Sequence, residues 1–358
     1  MSTQVSNRRR RRARELGRVP GRCRVGQRLS AMILALGSFS SLLAGTADAT
    51  EGGASLYLPG FHGPGAALVP PPGVYLENDF YMYSGELKGG RRIQIGGAVL
   101  ADVEVEARAD FLTATWITPL QILGGQVGFG VSVPFGVPRV SSGILIEAPP
   151  LGRPFAFSQR DASFVLGDPI TTALVGWHAG NFHWSISGSV NVPAGGYQEG
   201  ELSNLAFNRW IGDVSAALTW LDPELGLDIS GTVGFEINGE NPATDYASGN
   251  AFHADLAITK NITKEFSVGL QAGYYDQVSE DGGRGNRIGP FKGRVAAVGA
   301  TAGYTFTVAG TPVTTRIKVL REVDVENRPQ GTIGLFTVAF PLGGHAHPTP
   351  PAAIMAKY

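Results

Sequence analysis

Cysteine is almost missing from this 358-residue chain, and the single one, Cys23, lies in the basic N-terminal stretch. That excludes a fold stapled by disulfides and a cysteine-ligated metal cluster. Charge is scarce, at 16% Asp, Glu, Lys and Arg, and no stretch after residue 50 offers 18 consecutive apolar residues. A membrane-spanning helix beyond residue 50 is therefore excluded as well. What is abundant is glycine (50) and proline (23), with apolar residues recurring in every later segment. Such a composition disfavours a mostly helical fold and also disfavours disorder.

The first 49 residues stand apart. Ten arginines from Arg8 to Arg28 face only Glu15 and Asp48, and the apolar run "LSAMILALGSFSSLLAG" precedes the small-residue stretch Ala47-Asp48-Ala49. Basic, apolar, then small is the order of a secretory signal peptide, expected here over 1–49. A nucleic-acid-binding arm needs neither the apolar run nor the cleavage site. Removing those ten arginines and two acids from 29 bases and 30 acids leaves 19 against 28, a net charge of −9. A mature chain of that sign has no nucleic-acid partner. It keeps no cysteine either, so neither a disulfide nor a thiol is expected.

Residues 50–73, rich in Gly and Pro, read as an irregular lead-in. Beyond them the spacing predicts twelve strands: 74–83, 106–117, 123–133, 168–178, 182–193, 212–221, 226–238, 251–260, 266–278, 292–307, 312–325 and 331–341. In "NFHWSISGSVN" Phe182, Trp184, Ile186 and Val190 share one phase, and His183, Ser185, Ser187 and Ser189 share the other. In "TPVTTRIKVLREVDV" Val313, Ile317, Val319, Val323 and Val325 oppose Thr314, Arg316, Lys318, Glu322 and Asp324.

Connection lengths decide between a soluble sandwich and a membrane barrel. Those at 118–122, 179–181, 222–225, 261–265 and 308–311 are short, whereas 84–105, 134–167, 194–211, 239–250 and 279–291 are long. Tight turns on one side and free loops on the other belong to a transmembrane, antiparallel up-and-down β-barrel, and a Greek-key sandwich has no reason to sort its loops. Twelve is even, which returns both termini to the short-turn, periplasmic side. Aromatics such as Trp116, Trp177, Trp184, Trp210 and Trp220 fall near strand ends, where an interfacial girdle lies. The expected domains are signal peptide 1–49, lead-in 50–73, barrel 74–342 and a flexible periplasmic tail 343–358. The expected location is the outer membrane, with the lipid bilayer and the barrel-assembly machinery as partners.

No nucleophile elbow, P-loop or H-E-x-x-H motif is present, so no catalytic, cofactor-binding or metal-ligating residue is expected. His178 and His183 flank a tight turn without a third ligand, and His345 and His347 lie in the Pro/Gly tail. Candidate lumen or solute contacts are Asp168, His183, Asp228, Glu236, Asp255, Arg294, Arg316, Lys318 and Glu322, with Asp110 and Asp324 on the same polar phases. Facing one another across a narrow lumen, these charges either set selectivity or salt-bridge and plug the barrel. Asp168 with Pro169 either caps a strand end or, with Gly167, binds solute. The loop 134–167 is apolar at Ile144, Leu145, Ile146, Phe155 and Phe157. It reads either as a cover over the mouth that meets hydrophobic solutes or as two strands continued above the membrane.

The run "LGDPITTALVGWHAGNFHWSISGSVNVPAGGY", Leu166 to Tyr197, resembles the central segment of the meta-pathway of phenol degradation-like outer-membrane proteins. Its Gly-Asp-Pro strand start, Gly-Trp, Asn-Phe-His and closing Pro-x-Gly-x-Tyr carry the likeness, and "GVYLENDFYMYSG" extends it. "PAGGY" departs from the family's usual Pro-Thr-Gly. The resemblance implies a Gram-negative outer-membrane channel for small hydrophobic or aromatic compounds, linked to aromatic breakdown, with no catalytic residues to carry over. A barrel-borne hydrolase and a structural or adhesive barrel without transport are the competing readings.

Overall fold

Alternation of apolar and small polar residues gives each strand one lipid-compatible face and one wet face, and the chain closes on itself so that no backbone edge is left in lipid. The computed structural model describes residues 51–147 and 164–343. The signal-peptide and tail expectations, and Phe155 and Phe157, lie outside the described residues. Twelve antiparallel strands form the closed barrel. They are β1 (Gly73–Ile95), β2 (Ala98–Ile122), β3 (Gly125–Glu147), β4 (Ile170–Ala179), β5 (Phe182–Asn191), β6 (Ile211–Asp222), β7 (Leu227–Asn238), β8 (Ala251–Asn261), β9 (Phe266–Gln277), β10 (Arg294–Val308), β11 (Thr311–Glu326) and β12 (Gln330–Leu342). β1 closes on β12 from Val74↔Leu342 to Glu86↔Gln330.

The two faces of β5 separate as the alternation requires. Phe182 and Ile186 are 52% and 54% exposed on the outside, whereas Ser185 on the inside is 8% exposed. Outward Trp116 and Phe129, and the near-parallel pair Trp177 and Trp184, cluster toward the short-turn end. That is where a girdle at the periplasmic interface belongs.

Three strands depart from the expected lengths. The stretch 84–105 is no loop: β1 and β2 run on to a two-residue turn at Gly96 and Gly97. Likewise 134–147 continues β3 against β2, so Ile144, Leu145 and Ile146 sit on a strand. This three-stranded projection retains its backbone pairing and buries its own apolar cluster of Leu87, Ile93, Ile95, Leu100 and Val103, joined by Leu202. It leans over the long-loop end. Gln94 donates to Gly285 O at 2.7 Å and accepts from Arg287 N at 3.0 Å, and Ser203 Oγ accepts from Val140 N at 3.1 Å.

Strand phase is overturned at one bulge. Ala296 pairs with Asp324 but Ala297 pairs with Glu322, so Val323 is the extra residue. The bulge keeps Glu322 inside and turns Asp324 outward. Arg294 also points outward, where it meets Asp324 at 3.6 Å and Glu326 at 3.1 Å. Period two places Asp324 inside only if β11 has no bulge, and the small residues of β10 give Arg294 too weak an alternation to fix its face. Asp110 faces out too, accepting from Asn78 Nδ2 at 2.7 Å.

Both barrel strands at the chain ends, β1 and β12, do terminate at the short-turn end. The lead-in, however, does not stay there. Residues 51–72 run through the lumen from the long-loop end down to the start of β1.

Candidate functional site: a threaded lumen

The threaded segment pairs only a few of its backbone groups with one another, as Phe61 N with Leu58 O at 3.0 Å and Leu68 N with Gly65 O at 2.8 Å, so the barrel wall serves others. Going down the lumen, Asn241 Nδ2 donates to Glu51 at 3.1 Å. Glu236 Oε2 accepts from Ser55 Oγ at 2.7 Å and Tyr57 N at 3.2 Å. Asp255 Oδ1 accepts from Gly60 N at 2.9 Å, and Gln271 Nε2 donates to Gly60 O at 2.8 Å. Lys318 Nζ donates to Gly60 O and Phe61 O at 3.0 and 2.9 Å. Ser230 Oγ then takes Gly65 N at 2.9 Å, and Thr219 Oγ1 takes Ala67 N at 3.0 Å. At the bottom Tyr75 Oη donates to Pro71 O at 2.8 Å. Acids receive the segment's N–H groups, and Lys and Gln serve its carbonyls. Gly60 is required at one close approach. Its φ is +85°, and a Cβ there would lie 2.9 Å from Leu320.

This arrangement decides the fate of the predicted lumen charges. Asp228, Glu236, Asp255, Arg316, Lys318 and Glu322 all face inward and are buried. Among the described residues no ion pair joins any two of them. Glu236, Asp255 and Lys318 hold the segment, Asp228 accepts from Ser230 Oγ, and Arg316 donates to Thr301 Oγ1. Glu322 accepts from Tyr83 Oη at 3.0 Å on the inner wall. The chain itself, and not mutual salt bridging of these charges, occupies one side of the lumen. His183 faces inward at the short-turn rim, its ring 5.8 Å from that of His178.

Asp168 sits elsewhere. Its buried carboxylate accepts from Asn191 Nδ2, Gly195 N, Phe207 N and Asn208 N at 2.8–3.1 Å, which pins the loop 192–210. Three of its four donors are backbone N–H groups of that loop and the fourth is Asn191 at the end of β5, so the hydrogen bonds support the structural reading of Gly167-Asp168-Pro169.

The segment lies against the β7–β9 and β11 wall and leaves room on the other side. A cavity of about 280 Å³ remains there. Its segment face carries Leu56, Tyr57, Leu58, Phe61 and His62, and Phe111 from β2 meets Phe61 edge-on at 5.1 Å. The opposite wall carries Thr113, Thr115, Ser132, Thr172, Ser185, Ser187 and Ser189. Some of these hydroxyls satisfy one another, as Thr113 with Ser132 and Thr172 with Ser189 do at 2.9 Å. One face is apolar and ring-bearing, the opposite one is hydroxylated, and Glu77, Asp79, Asp213, Arg316 and Lys318 complete the lining.

Sequence reasoning missed a cluster at the edge of this cavity. Ser187, Ser215, Gly234, His253 and Tyr275 occupy one register row across β5–β9. His253 reaches across Gly234 to Asp213 Oδ2 at 2.6 Å, and Ser215 Oγ donates to Asp213 Oδ1 at 2.6 Å. A Cβ on Gly234 would lie 2.3 Å from both His253 and Ser215. Asp213 stands between the other two, so Ser215 donates to the acid and not to the imidazole. A serine nucleophile needs the opposite order. The polar phases of 212–221 and 251–260 contained Asp213 and His253, but nothing local showed that Gly234 would let them meet.

The family model described as "Putative MetA-pathway of phenol degradation" matches residues 89–336. The chain belongs to this family. It is an outer-membrane β-barrel. Among solved structures it is similar to the COG4313 outer membrane channel from Pseudomonas putida F1, at 17% identity and TM-score 0.59, covering 77% of this chain and 98% of that one. It is more distantly similar to a Pseudomonas aeruginosa FadL homologue (10% identity, TM-score 0.38, 78% and 92% covered). The transport unit of the autotransporter AIDA-I from Escherichia coli stands at the same TM-score (10% identity, 75% and 90% covered). No curated protein matches the chain.

Proposed function

We propose that the protein is a passive outer-membrane channel for small apolar and aromatic compounds that feed aromatic breakdown. The cavity carries this reading. At about 280 Å³ it exceeds the roughly 150 Å³ apolar cavity that holds one benzene ring, and it places aromatic and aliphatic side chains on one face. The hydroxyl wall opposite offers neutral hydrogen bonds, and the charged groups of the lining, Glu77, Asp79, Asp213, Arg316 and Lys318, stand beside it on other strands. The description of the family and the channel nature of the Pseudomonas putida relative point the same way. Residues 1–49 act as the export signal, and the barrel is inserted by the cell's outer-membrane assembly machinery. The threaded segment keeps the resting path narrow.

Uptake of labelled single-ring aromatics by cells with and without the protein tests this. At low outside concentration the deletion strain should accumulate them more slowly, with the deficit restored by the wild-type gene. Equal rates in the two strains would remove uptake as the function.

A further inference from the structure

The threaded segment carries a tyrosine, and the barrel wall holds that side chain through both its ring and its hydroxyl. The Tyr57 ring lies 4.2 Å from that of His253 with 14° between the planes, and 6.4 Å from that of Tyr275 with 3° between them. Tyr57 Oη donates to Ala254 O at 3.1 Å. Besides Tyr57, the segment reaches these wall groups through His62, whose ring lies 6.4 Å from that of His253 with 13° between the planes, and the wall itself supplies their hydrogen bonds. Asp213 fixes His253, Ser215 fixes Asp213, and Gly234 leaves the space that the imidazole occupies. Ala254 belongs to the ladder of β8. Tyr57 and His253 both line the 280 Å³ cavity, so the slot opens onto the space that a solute enters.

The geometry points to a phenol-binding subsite on the β7–β9 wall that Tyr57 fills as a tethered surrogate, with a free phenolic solute competing against it. The inference rests on the reading of the lumen as a solute path and names the class of solute. A flat ring gains the stacking contact, and a hydroxyl donor gains the carbonyl. A plain hydrocarbon lacks the donor, and an aliphatic alcohol lacks the π face. A solute in the slot displaces Tyr57 and loosens the segment on either side of it, so the arriving phenol widens its own path. Tethering makes Tyr57 a strong competitor at high local concentration, which weakens the apparent affinity of the intact protein for free phenol.

Calorimetry on the purified full chain in detergent tests this with phenol, toluene and cyclohexanol as probes. Tyr57→Ala should bind phenol roughly tenfold tighter than wild type, since the competitor is gone. Tyr57→Phe should fall between them. In Tyr57→Ala, toluene and cyclohexanol should each bind roughly tenfold more weakly than phenol, and His253→Ala in that background should abolish the preference. A heat-dependent gel shift retained by each variant shows that the barrel is intact. Equal phenol binding by wild type and Tyr57→Ala, or equal binding of phenol and toluene, overturns the subsite. Phenol preference in vitro with unimpaired uptake in the deletion strain keeps the subsite and removes the transport reading. Impaired uptake without phenol preference does the reverse.

Discussion

Single side chains inside this barrel act mainly by completing backbone hydrogen bonds of the threaded segment. Glu236 is the clearest case, because one buried carboxylate oxygen receives both Ser55 Oγ and Tyr57 N while the other receives Asn238 Nδ2 at 2.9 Å. Glu236→Ala takes this acceptor from buried Ser55 Oγ and leaves Tyr57 N only Ser55 Oγ at 3.2 Å, a cost of about 1–3 kcal/mol to the seated segment. The expected outcome is larger and more frequent current steps in planar-bilayer recordings than wild type gives. An unchanged trace would show that the segment near Tyr57 is not what restricts the path. Asp168 illustrates how a residue can be conspicuous in sequence for a structural reason. Its three backbone N–H donors and Asn191 explain its burial fully, and nothing remains for a solute.

At the scale of elements, the barrel strands and the outer loops obey different rules. A strand's face follows from period two, so β5, β7 and β8 were legible from their residues. The 84–105 stretch was not, because a projection above the membrane needs no lipid-facing phase and carries turn-like Gly and charged residues while still pairing. The loops 239–250 and 278–293 are locked together by Asp281, which accepts from Gly249 N at 2.7 Å and from Gln277 and Tyr246. Burial pushes the Asp281 carboxyl up to about 7, although these hydrogen bonds pull it back. In the unlocked loop the carboxyl returns to the ordinary range near 4. The locked form therefore binds more protons between about pH 4 and pH 7, and its advantage falls as pH rises through that window. Amide exchange at Gly249 and Gly282, corrected for intrinsic rates, should be slower at pH 4.5 than at pH 7.5. A profile that is flat, or that runs the other way, would mean that Asp281 does not govern the lock.

For the whole molecule the membrane decides which face is which. Ile186 and Ser187 are neighbours in sequence, yet one meets lipid and the other lines the cavity. Ile186→Lys should cost about 2–4 kcal/mol if it lies near the bilayer midplane, read as a lower urea midpoint for loss of the heat-shifted gel band. Ser187→Lys should leave that midpoint close to wild type and reduce conductance by narrowing the cavity. If both substitutions lowered the midpoint alike, the assignment of the faces would be wrong.

The sequence by itself determined the strands, most of their ends, the closed barrel and the inward position of Asp228, Glu236, Asp255, Arg316, Lys318 and Glu322. These follow from a period-two alternation and from backbone groups that cannot stay unpaired in lipid, both of which are local constraints. Only the tertiary structure decided where residues 51–72 run. Their partners lie 150 to 260 positions away, and an irregular Gly/Pro segment carries no period that could announce them. The same holds for Asp213 and His253, which meet because one glycine on the strand between them leaves a ring-sized gap. Asp324 faces outward because a single extra residue in β11 reverses the faces beyond it, and Arg294 faces outward on the regular alternation of β10, which its small residues hide. Local pattern fixes which way a strand's side chains point, and only closure of the barrel fixes what they find there.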